Sequence, residues 1–491
     1  MNSLVTLKRM LLKLNLVEFN LLVRRFEKTK IQNEKSKTIL LIKLIKGASS
    51  LKASEIQKLL YPDSNYLAFN KLCNRLKNAI LEVIIDDSSI EFNQYSFRNK
   101  QLLLLRKKII QVDILLLKGL NEELLSMYNS IIKRTDKFEF YDIQLQALNS
   151  KSRFLTSFGK TGEINQIKKE ILECEKNYFN MNKSISLYQG MMNLISKHTD
   201  SLNYIGELKT TINNLEEILN LTKSKTIQYY LLNLQLELLQ IDKKYSDANN
   251  LLIVVEKLLL SSPAVYTENR YGTVLLNMSN NFLFLGLFDS AIEIAKKSKA
   301  YFEKHYFTIK LVDELLFYCY FYKREYASIN ELIEIDKGKV RDTSNELIFS
   351  KFKYYKACLE FRNSNYLKCL EILEENKEID KDKEGWNVCK RILIILCRIE
   401  LKDLESVDIS VNNLNRYYRR LSKTNIVKGR YKLIIKICLN LISDNIEKGA
   451  INLKFNKYSK LLEMLRSETN KWERKSPELI NFEEWFHSRY F

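Results

Sequence analysis

Hydrophobic and polar positions follow a repeating pattern over most of this chain of 491 residues. A short polar turn is followed by a large residue, and a small or apolar residue stands three positions later. We identify nine such pairs, whose second members lie 38 to 43 residues apart: Asn121/Leu124, Ile164/Ile167, Ile205/Leu208, Tyr245/Ala248, Phe288/Ala291, Tyr326/Ile329, Tyr366/Cys369, Leu404/Val407 and Ile446/Gly449. A period of about 20 to 50 residues is the signature of stacked repeats. The pattern therefore predicts an all-α solenoid of about nine helical hairpins over residues 100–472.

The two ends of the chain depart from this pattern. Apolar spacing within residues 1–99 predicts helices at about 1–30, 37–47, 53–60 and 66–84. This order fits a winged-helix or helix-turn-helix module, and it also fits a cap that closes one end of the solenoid. Residues 473–491 are rich in aromatic side chains, which predicts a capping helix at the other end.

Composition favours helices and a reducing compartment. The chain holds only 12 glycines and 3 prolines, so long stretches lack residues that break helices. Its eight cysteines form no CxxC pair, which is typical of buried free thiols. The N-terminus lacks a secretory signal, and the apolar runs are shorter than the roughly 20 residues of a spanning helix. We therefore expect a cytoplasmic protein without membrane insertion.

Four of the cysteines recur with the repeat. Cys319, Cys358, Cys397 and Cys438 lie seven or eight residues before the turn residues of successive hairpins, at one site on successive first helices. A redox or metal ladder would need thiols close to one another, but one solenoid step separates these. We therefore predict that each thiol packs as a small apolar group at a crowded helix contact.

One segment carries a recognisable family motif. In residues 281–293 Gly286 closes a helix, Phe288 follows two residues later, and Ala291 begins the next packing face. This segment resembles the core of a tetratricopeptide repeat (TPR). The other turns carry Arg324, Ser364 and Asp403 near the glycine position, and the period is close to 40 instead of about 34. The resemblance implies a right-handed α-solenoid whose first helices line a concave groove.

The resemblance also implies a ligand. The TPR family commonly holds peptide segments in this groove, with asparagine and basic side chains fixing the peptide. Asn233, Asn277 and Asn280 lie on first helices and are the candidates, although asparagine is common along the whole chain. Tyr320 joins them, because the aromatic run from Phe317 to Tyr322 is too continuous to be buried on every side. We expect a scaffold or adaptor that binds a protein or peptide partner within a multiprotein complex.

Charge suggests a different partner. The net charge of +20 is concentrated in residues 1–110 (+12) and 410–475 (+11), which favours anionic partners at both ends. A genome rich in A and T would give many lysines without selection for binding, so a compositional origin stays open. The candidate nucleic-acid-binding residues are Lys71, Arg75, Lys77, Arg416, Arg419, Arg420, Lys428 and Arg430. A helical module before TPR-like hairpins also resembles the architecture of peptide-responsive bacterial regulators.

Catalytic signatures are missing from the sequence. It contains no G-x-S-x-G, no P-loop and no HExxH, and its three histidines are isolated. We therefore predict a protein that is not an enzyme, with no catalytic residue, cofactor or metal.

Overall fold

A computed structural model gives the architecture. It describes residues 7–8, 10–12, 14, 16–27, 32–47, 53–62, 66–86, 96–158, 161–197, 203–302, 306–333, 343–376, 378–379, 382, 385–424, 429–446, 451 and 454–491. Within these residues the chain is helical and contains no strand. It divides into two compact units, Met1–Gly119 and Leu120–Phe491. The predicted domain limits at residues 99 and 472 stay predictions.

The described part of the first unit is helical. We number them α1 (Leu16–Glu27), α2 (Gln32–Gly47), α3 (Ala53–Leu60), α4 (Tyr66–Asp86) and α5 (Phe97–Leu117). The predicted limits of α3 are confirmed, and α4 extends two residues beyond its predicted end. Leu22 of α1, Leu41 of α2 and Leu76 of α4 are fully buried, because apolar residues three or four apart form one face of each helix.

The second unit consists of stacked helical hairpins. Its helices are α6 (Leu124–Phe138), α7 (Tyr141–Ser157), α8 (Thr161–Lys197), α9 (Ile205–Thr222), α10 (Lys225–Ile241), α11 (Tyr245–Ser261), α12 (Glu268–Leu285), α13 (Phe288–Lys299), α14 (Tyr306–Lys323), α15 (Asn330–Ile333), α16 (Thr343–Arg362), α17 (Tyr366–Glu375), α18 (Trp386–Glu400), α19 (Leu404–Thr424), α20 (Gly429–Ser443), α21 (Phe455–Arg466) and α22 (Phe482–Tyr490). Neighbouring helices along the chain pack on each other, as expected of a solenoid. The predicted α-solenoid of TPR-like hairpins is confirmed.

The hairpin turns share one backbone geometry with and without glycine. Gly286 has a φ of +80°, and its N–H and that of Leu287 donate to carbonyl oxygens of the last turn of α12. Lys243, Arg324, Ser364 and Lys402 hold the same place in their hairpins, with φ between 57° and 62°. Gly286, Arg324 and Ser364 follow the predicted pattern, but in the next turn the left-handed residue is Lys402 and not Asp403.

The periodic second members of the pairs form the contact between the helices of each hairpin. Leu124, Ile167, Leu208, Ala248, Ala291, Ile329, Cys369 and Val407 are at most 2% exposed. Gly449, the ninth, lies outside the described residues. Burial at this one position in eight successive repeats explains the period, because a larger or polar residue there would separate the paired helices.

Two predicted elements are joined into one. The pattern places a second helix after Ile164 and a new first helix before Ile205, but α8 is a single helix of 37 residues, from Thr161 to Lys197. Hydrophobic spacing shows which face of a helix is buried. It does not show whether the chain turns between two buried stretches or runs through both as one helix.

The aromatic run is buried more completely than predicted. Phe317, Tyr318, Tyr320 and Phe321 are at most 8% exposed, and only Tyr322 is half-buried. Helix α14 packs between its neighbours on several sides, so a continuous run of rings can be covered. The four periodic cysteines are at most 1% exposed and free, which confirms their predicted packing.

Candidate partner-binding face

The first helices of the last hairpins build one continuous surface. We call it the first-helix face and define it by Asn277 and Asn280 of α12, Tyr322 of α14, Tyr354 of α16, Glu400 of α18 and Arg430 of α20. The resemblance to TPR proteins predicts that this surface holds a ligand. In this chain it holds a segment of the chain itself, residues 467–491, which we call the C-terminal segment.

The first part of the C-terminal segment is not helical and is held through its main chain. The hydroxyl of Tyr322 donates to the carbonyl oxygen of Arg474 at 2.6 Å, and the hydroxyl of Tyr354 donates to that of Pro477 at 2.9 Å. Arg430 donates through Nη1 to the carbonyl oxygen of Asn470 at 2.9 Å. Three of the first helices, α14, α16 and α20, therefore contribute side chains that bind carbonyl groups of a non-helical segment.

Side chains of the segment bind back to the hairpins. Arg474 donates to the carbonyl oxygen of Phe284, at the end of α12, at 2.6 Å. Lys475 donates to Oδ1 of Asn280 at 2.9 Å, and Glu473 forms an ion pair with Lys243 at 2.7 Å. Trp472 packs edge-on against Tyr322, with ring centroids 5.5 Å apart.

A buried ion-pair cluster fixes the centre of the segment. Nε and Nη2 of Arg430 bind the two carboxylate oxygens of Glu478 at 2.6 and 2.8 Å, and Nη2 also reaches Glu483 at 3.2 Å. The side chains of Arg430 and Glu478 are 5% and 4% exposed. Burial alone lowers the pKa of Arg430, but the hydrogen bonds and charges of the two carboxylates outweigh it and raise that pKa. The guanidinium therefore stays charged, with its donors satisfied inside the protein.

Helix α22 closes the last hairpins. Asn481 caps it by accepting hydrogen bonds from the N–H groups of Glu483 and Glu484. Phe482 and Phe486 are fully buried, and Nε1 of Trp485 donates to Glu400 of α18 at 2.7 Å. The C-terminal aromatic residues thus complete a core that begins in the hairpins.

The earlier first helices present aromatic rings and amides. Tyr188 of α8 stacks on Tyr230 of α10, with centroids 4.4 Å apart, and Arg270 lies 4.5 Å above the ring of Tyr229. Burial raises the pKa of Tyr188 to about 12, so its phenol stays neutral at physiological pH. Asn233 lies on α10, half-buried, and donates to the carbonyl oxygen of Tyr229 at 2.6 Å.

The predicted peptide-binding residues lie in three different environments. Asn277 and Asn280 share the half-buried side of α12, and Asn280 already binds Lys475. Asn233 stands on the preceding first helix. Tyr320 is 8% exposed and lies beneath Lys296 of α13, so its predicted place on the binding face is wrong. Residues two positions apart point to opposite sides of a helix, and Tyr322 takes that place instead.

The predicted nucleic-acid-binding residues are also divided. Lys71 and Lys77 are exposed on α4, whereas Arg75 is half-buried and donates to Thr38 at 2.6 Å. On α19, Arg416, Arg419 and Arg420 are exposed. Lys428 lies outside the described residues. Arg430 is 4% exposed and engaged with carboxylates, so its guanidinium is not available to a phosphate, contrary to the prediction.

Sequence reasoning missed side chains that bind the C-terminal segment to the hairpins. Tyr322 belongs to the predicted aromatic run, but its neighbours hid which ring faces outward. No sequence pattern singles out Tyr354 or Arg474, because their partners are carbonyl groups more than 100 residues away in the chain. Contacts at that distance depend on the stacking of the repeats.

The described residues contain neither a metal-binding cluster nor a membrane-spanning helix. Among the described residues, no cluster of three histidine, cysteine, aspartate or glutamate side chains could hold a metal ion. Across the same residues, no helix is both long and apolar enough to cross a bilayer.

Comparison with known proteins gives likeness only in structure. No family model matches the chain, and no curated protein matches its sequence. The chain is similar to the apo form of RapI at 13% identity and a TM-score of 0.44, over 73% of this chain and 87% of that one. It is similar to the apo form of the quorum sensor NprR from B. thuringiensis at 13% identity and a TM-score of 0.47, over 70% and 93% of the two chains.

A third likeness is weaker. The TPR domain of P58(IPK) matches at 11% identity and a TM-score of 0.20, over 78% of this chain and 97% of that one. TM-scores this low carry no argument about function. The TPR-like architecture rests on the turns, the buried pairs and the stacked helices described above.

Proposed function

We propose that this chain is a non-catalytic scaffold or adaptor that binds a protein or peptide partner along its first-helix face, as part of a multiprotein complex. One observation carries the proposal: this face already holds a non-helical segment through side chains that donate to its main-chain carbonyl groups. Such contacts are made to the backbone, so the same chemistry serves other sequences.

The proposed partner site lies beside the C-terminal segment and overlaps it at Asn280. Asn233 on α10 and Asn277 and Asn280 on α12 would bind the backbone of the partner, because an amide side chain both donates and accepts hydrogen bonds. Half-exposed rings such as Tyr230 would cover its apolar side chains. The predicted cytoplasmic location is part of the proposal.

A selected peptide tests the proposal. The purified full chain is used to select from a displayed library of random peptides, and the affinity of a selected peptide is measured by fluorescence anisotropy. We expect Asn277→Ala and Asn233→Ala each to weaken binding about 5- to 10-fold, since a lost hydrogen bond costs about 1 kcal/mol. Arg419→Glu with Arg420→Glu is the control and leaves binding unchanged. Failure to select any peptide, or binding indifferent to both asparagines, refutes the proposal.

The runner-up function is nucleic-acid binding through α19. Arg416, Arg419 and Arg420 are exposed on this helix, and Arg391 lies 4.4 Å above the ring of the neighbouring Tyr417. Exposed arginines beside an aromatic ring can contact phosphates and stack on bases. Binding of single-stranded RNA or DNA that falls steeply with salt and is lost in the Arg419→Glu and Arg420→Glu variant would favour this function.

A further inference from the structure

A short part of the C-terminal segment differs from the rest in how firmly it is held. Residues 476–483 are buried without interruption, whereas Trp472, Glu473 and Arg474 are half-buried and Lys475 is exposed. We call residues 472–475 the strap. It lies between α21 and the buried residues 476–483. Nε1 of Trp472 donates to the carbonyl oxygen of Glu478 at 2.7 Å, a hydrogen bond that breaks when the strap detaches.

The strap occupies groups that the proposed partner needs. Lys475 binds Asn280, and the carbonyl oxygen of Arg474 accepts a hydrogen bond from Tyr322. Arg474 also donates to the carbonyl oxygen of Phe284 at the end of α12. A partner segment lying along α12 would meet the strap at these atoms, since the strap already lies against them.

One ion pair of the strap is of a kind that exchanges readily. The ion pair between Glu473 and Lys243 joins side chains that are 36% and 48% exposed, and such pairs are screened by water and salt. By contrast, the Arg430 and Glu478 side chains, which hold the next part of the segment, are at most 5% exposed. The loosely held part of the segment therefore coincides with the part that covers Asn280.

We propose that the strap is a tethered competitor of the partner: it fills the first-helix face at α12 and α14 until an incoming segment displaces it. The inference rests on the proposed function, because it concerns the same site. A tethered group competes at the high effective concentration set by its short connection. The strap therefore weakens the apparent affinity for any partner and restricts binding to segments that replace its contacts.

A peptide with the sequence of the strap tests the competition directly. The probe is a labelled synthetic peptide of residues 468–476, and its binding is measured by fluorescence anisotropy. We expect at least tenfold tighter binding to the full chain carrying Trp472→Ala and Arg474→Ala than to the unchanged chain. Adding Asn280→Ala to that variant should reduce the binding again. Equal binding to both chains, or no binding to the opened variant, overturns the inference.

Controls separate loss of the strap from loss of folding. Among the described residues Lys471 pairs only with exposed Glu468, and Lys471→Ala should leave peptide binding within twofold of the unchanged chain. Glu473→Ala with Lys475→Ala weakens the strap through exposed or half-buried side chains alone, and an intermediate gain in affinity is expected. No gain in this variant, with its helical content intact, would count against the inference.

The peptide selected for the proposed function distinguishes the two failures. If it binds the unchanged and the opened chains equally, yet still requires Asn277, the proposed function stands and the strap is not a competitor. If no selected peptide requires the asparagines but the strap peptide binds the opened chain, the proposed function fails and the strap remains an exchangeable part of the fold.

Discussion

Replacing Glu478 by glutamine should destabilise the last hairpins strongly. This carboxylate accepts hydrogen bonds from Nε and Nη2 of Arg430, and its Oε1 also accepts one from the N–H of Phe482 at 3.0 Å. Glutamine has nearly the same shape but offers one oxygen and no charge. The variant therefore leaves a buried guanidinium with Glu483 as its only carboxylate partner among the described residues.

The size of the effect follows from burial. Removing one partner of a buried ion pair costs about 3–5 kcal/mol, because the other charge remains without water. Glu483 at 3.2 Å and two carbonyl oxygens still face Arg430, so Glu478→Gln should lie near the lower limit, about 3 kcal/mol. Arg430→Met leaves two buried carboxylates and should lie near the upper limit, about 5 kcal/mol.

Tryptophan fluorescence during urea unfolding measures this local stability. The chain has three tryptophans, and Trp472 and Trp485 both belong to the C-terminal segment. The midpoint and slope of the transition give the free energy of unfolding. In the double variant Arg430→Met with Glu478→Gln, the loss should be well below the sum of the two single losses, since most of each loss comes from the partner left behind.

An exposed pair provides the control. Lys471 and Glu468 lie 2.7 Å apart, close to the 2.6 Å between Arg430 and Glu478, but their side chains are 42% and 87% exposed. Glu468→Gln should change the free energy of unfolding little, because water and salt screen an exposed pair. If Glu478→Gln costs no more than Glu468→Gln, or if the losses in the double variant add, the assignment of stability to this buried cluster is wrong.

Three further predictions follow from the turns, a buried carboxylate and the thiols. Gly286→Ala should lower the free energy of unfolding by about 1 kcal/mol, because φ is +80° at this residue. Lys402→Gly, at the equivalent left-handed position, should be neutral or stabilising. Urea unfolding of the two variants compares these effects. Burial alone raises the pKa of Asp444, but Lys454 and Tyr458 outweigh it and lower that pKa. The carboxylate therefore stabilises the fold at neutral pH, and this effect declines as the pH falls below about 4 towards the lowered pKa. Asp444→Asn should be more destabilising at pH 7 than at pH 3, and equal losses at both would contradict this. Burial raises the pKa of Cys319 to about 12, and all eight cysteines are buried. A thiol reagent at pH 8 should therefore react with all of them only after unfolding. Fast reaction of several thiols in the native protein would contradict the burial of these side chains.

The repeat could be predicted from local sequence patterns because each repeat packs mainly on its neighbours. Ala248, Ala291 and Cys369 were predictable as contact positions, since the period alone places them at one site in each hairpin. The left-handed turns at Arg324 and Ser364 were predictable from their distance to the following aromatic residue. The prediction placed the next turn at Asp403, one residue after Lys402, because glycine is the residue that marks a left-handed turn in a sequence and this turn lacks it.

The contacts that support the proposed function were harder to predict from the sequence. Asn280 was predicted as a partner-binding residue, and in the structure it binds Lys475, 195 residues later in the chain. Arg430 was predicted to meet phosphates because it stands in a basic stretch, but it meets Glu478 and Glu483. A net charge describes a stretch of sequence, whereas the partner of a given guanidinium depends on which segment folds against it.

The sequence by itself determined the helices, their period and the residues buried within each hairpin, because these depend on spacings of a few residues. Only the tertiary structure decided what covers the first-helix face. The C-terminal segment is held there because the stacked hairpins bring Tyr322, Tyr354 and Arg430 into line, and stacking depends on contacts far apart in the chain. The same long-range packing buries Arg430 and leaves the strap half-exposed over Asn280.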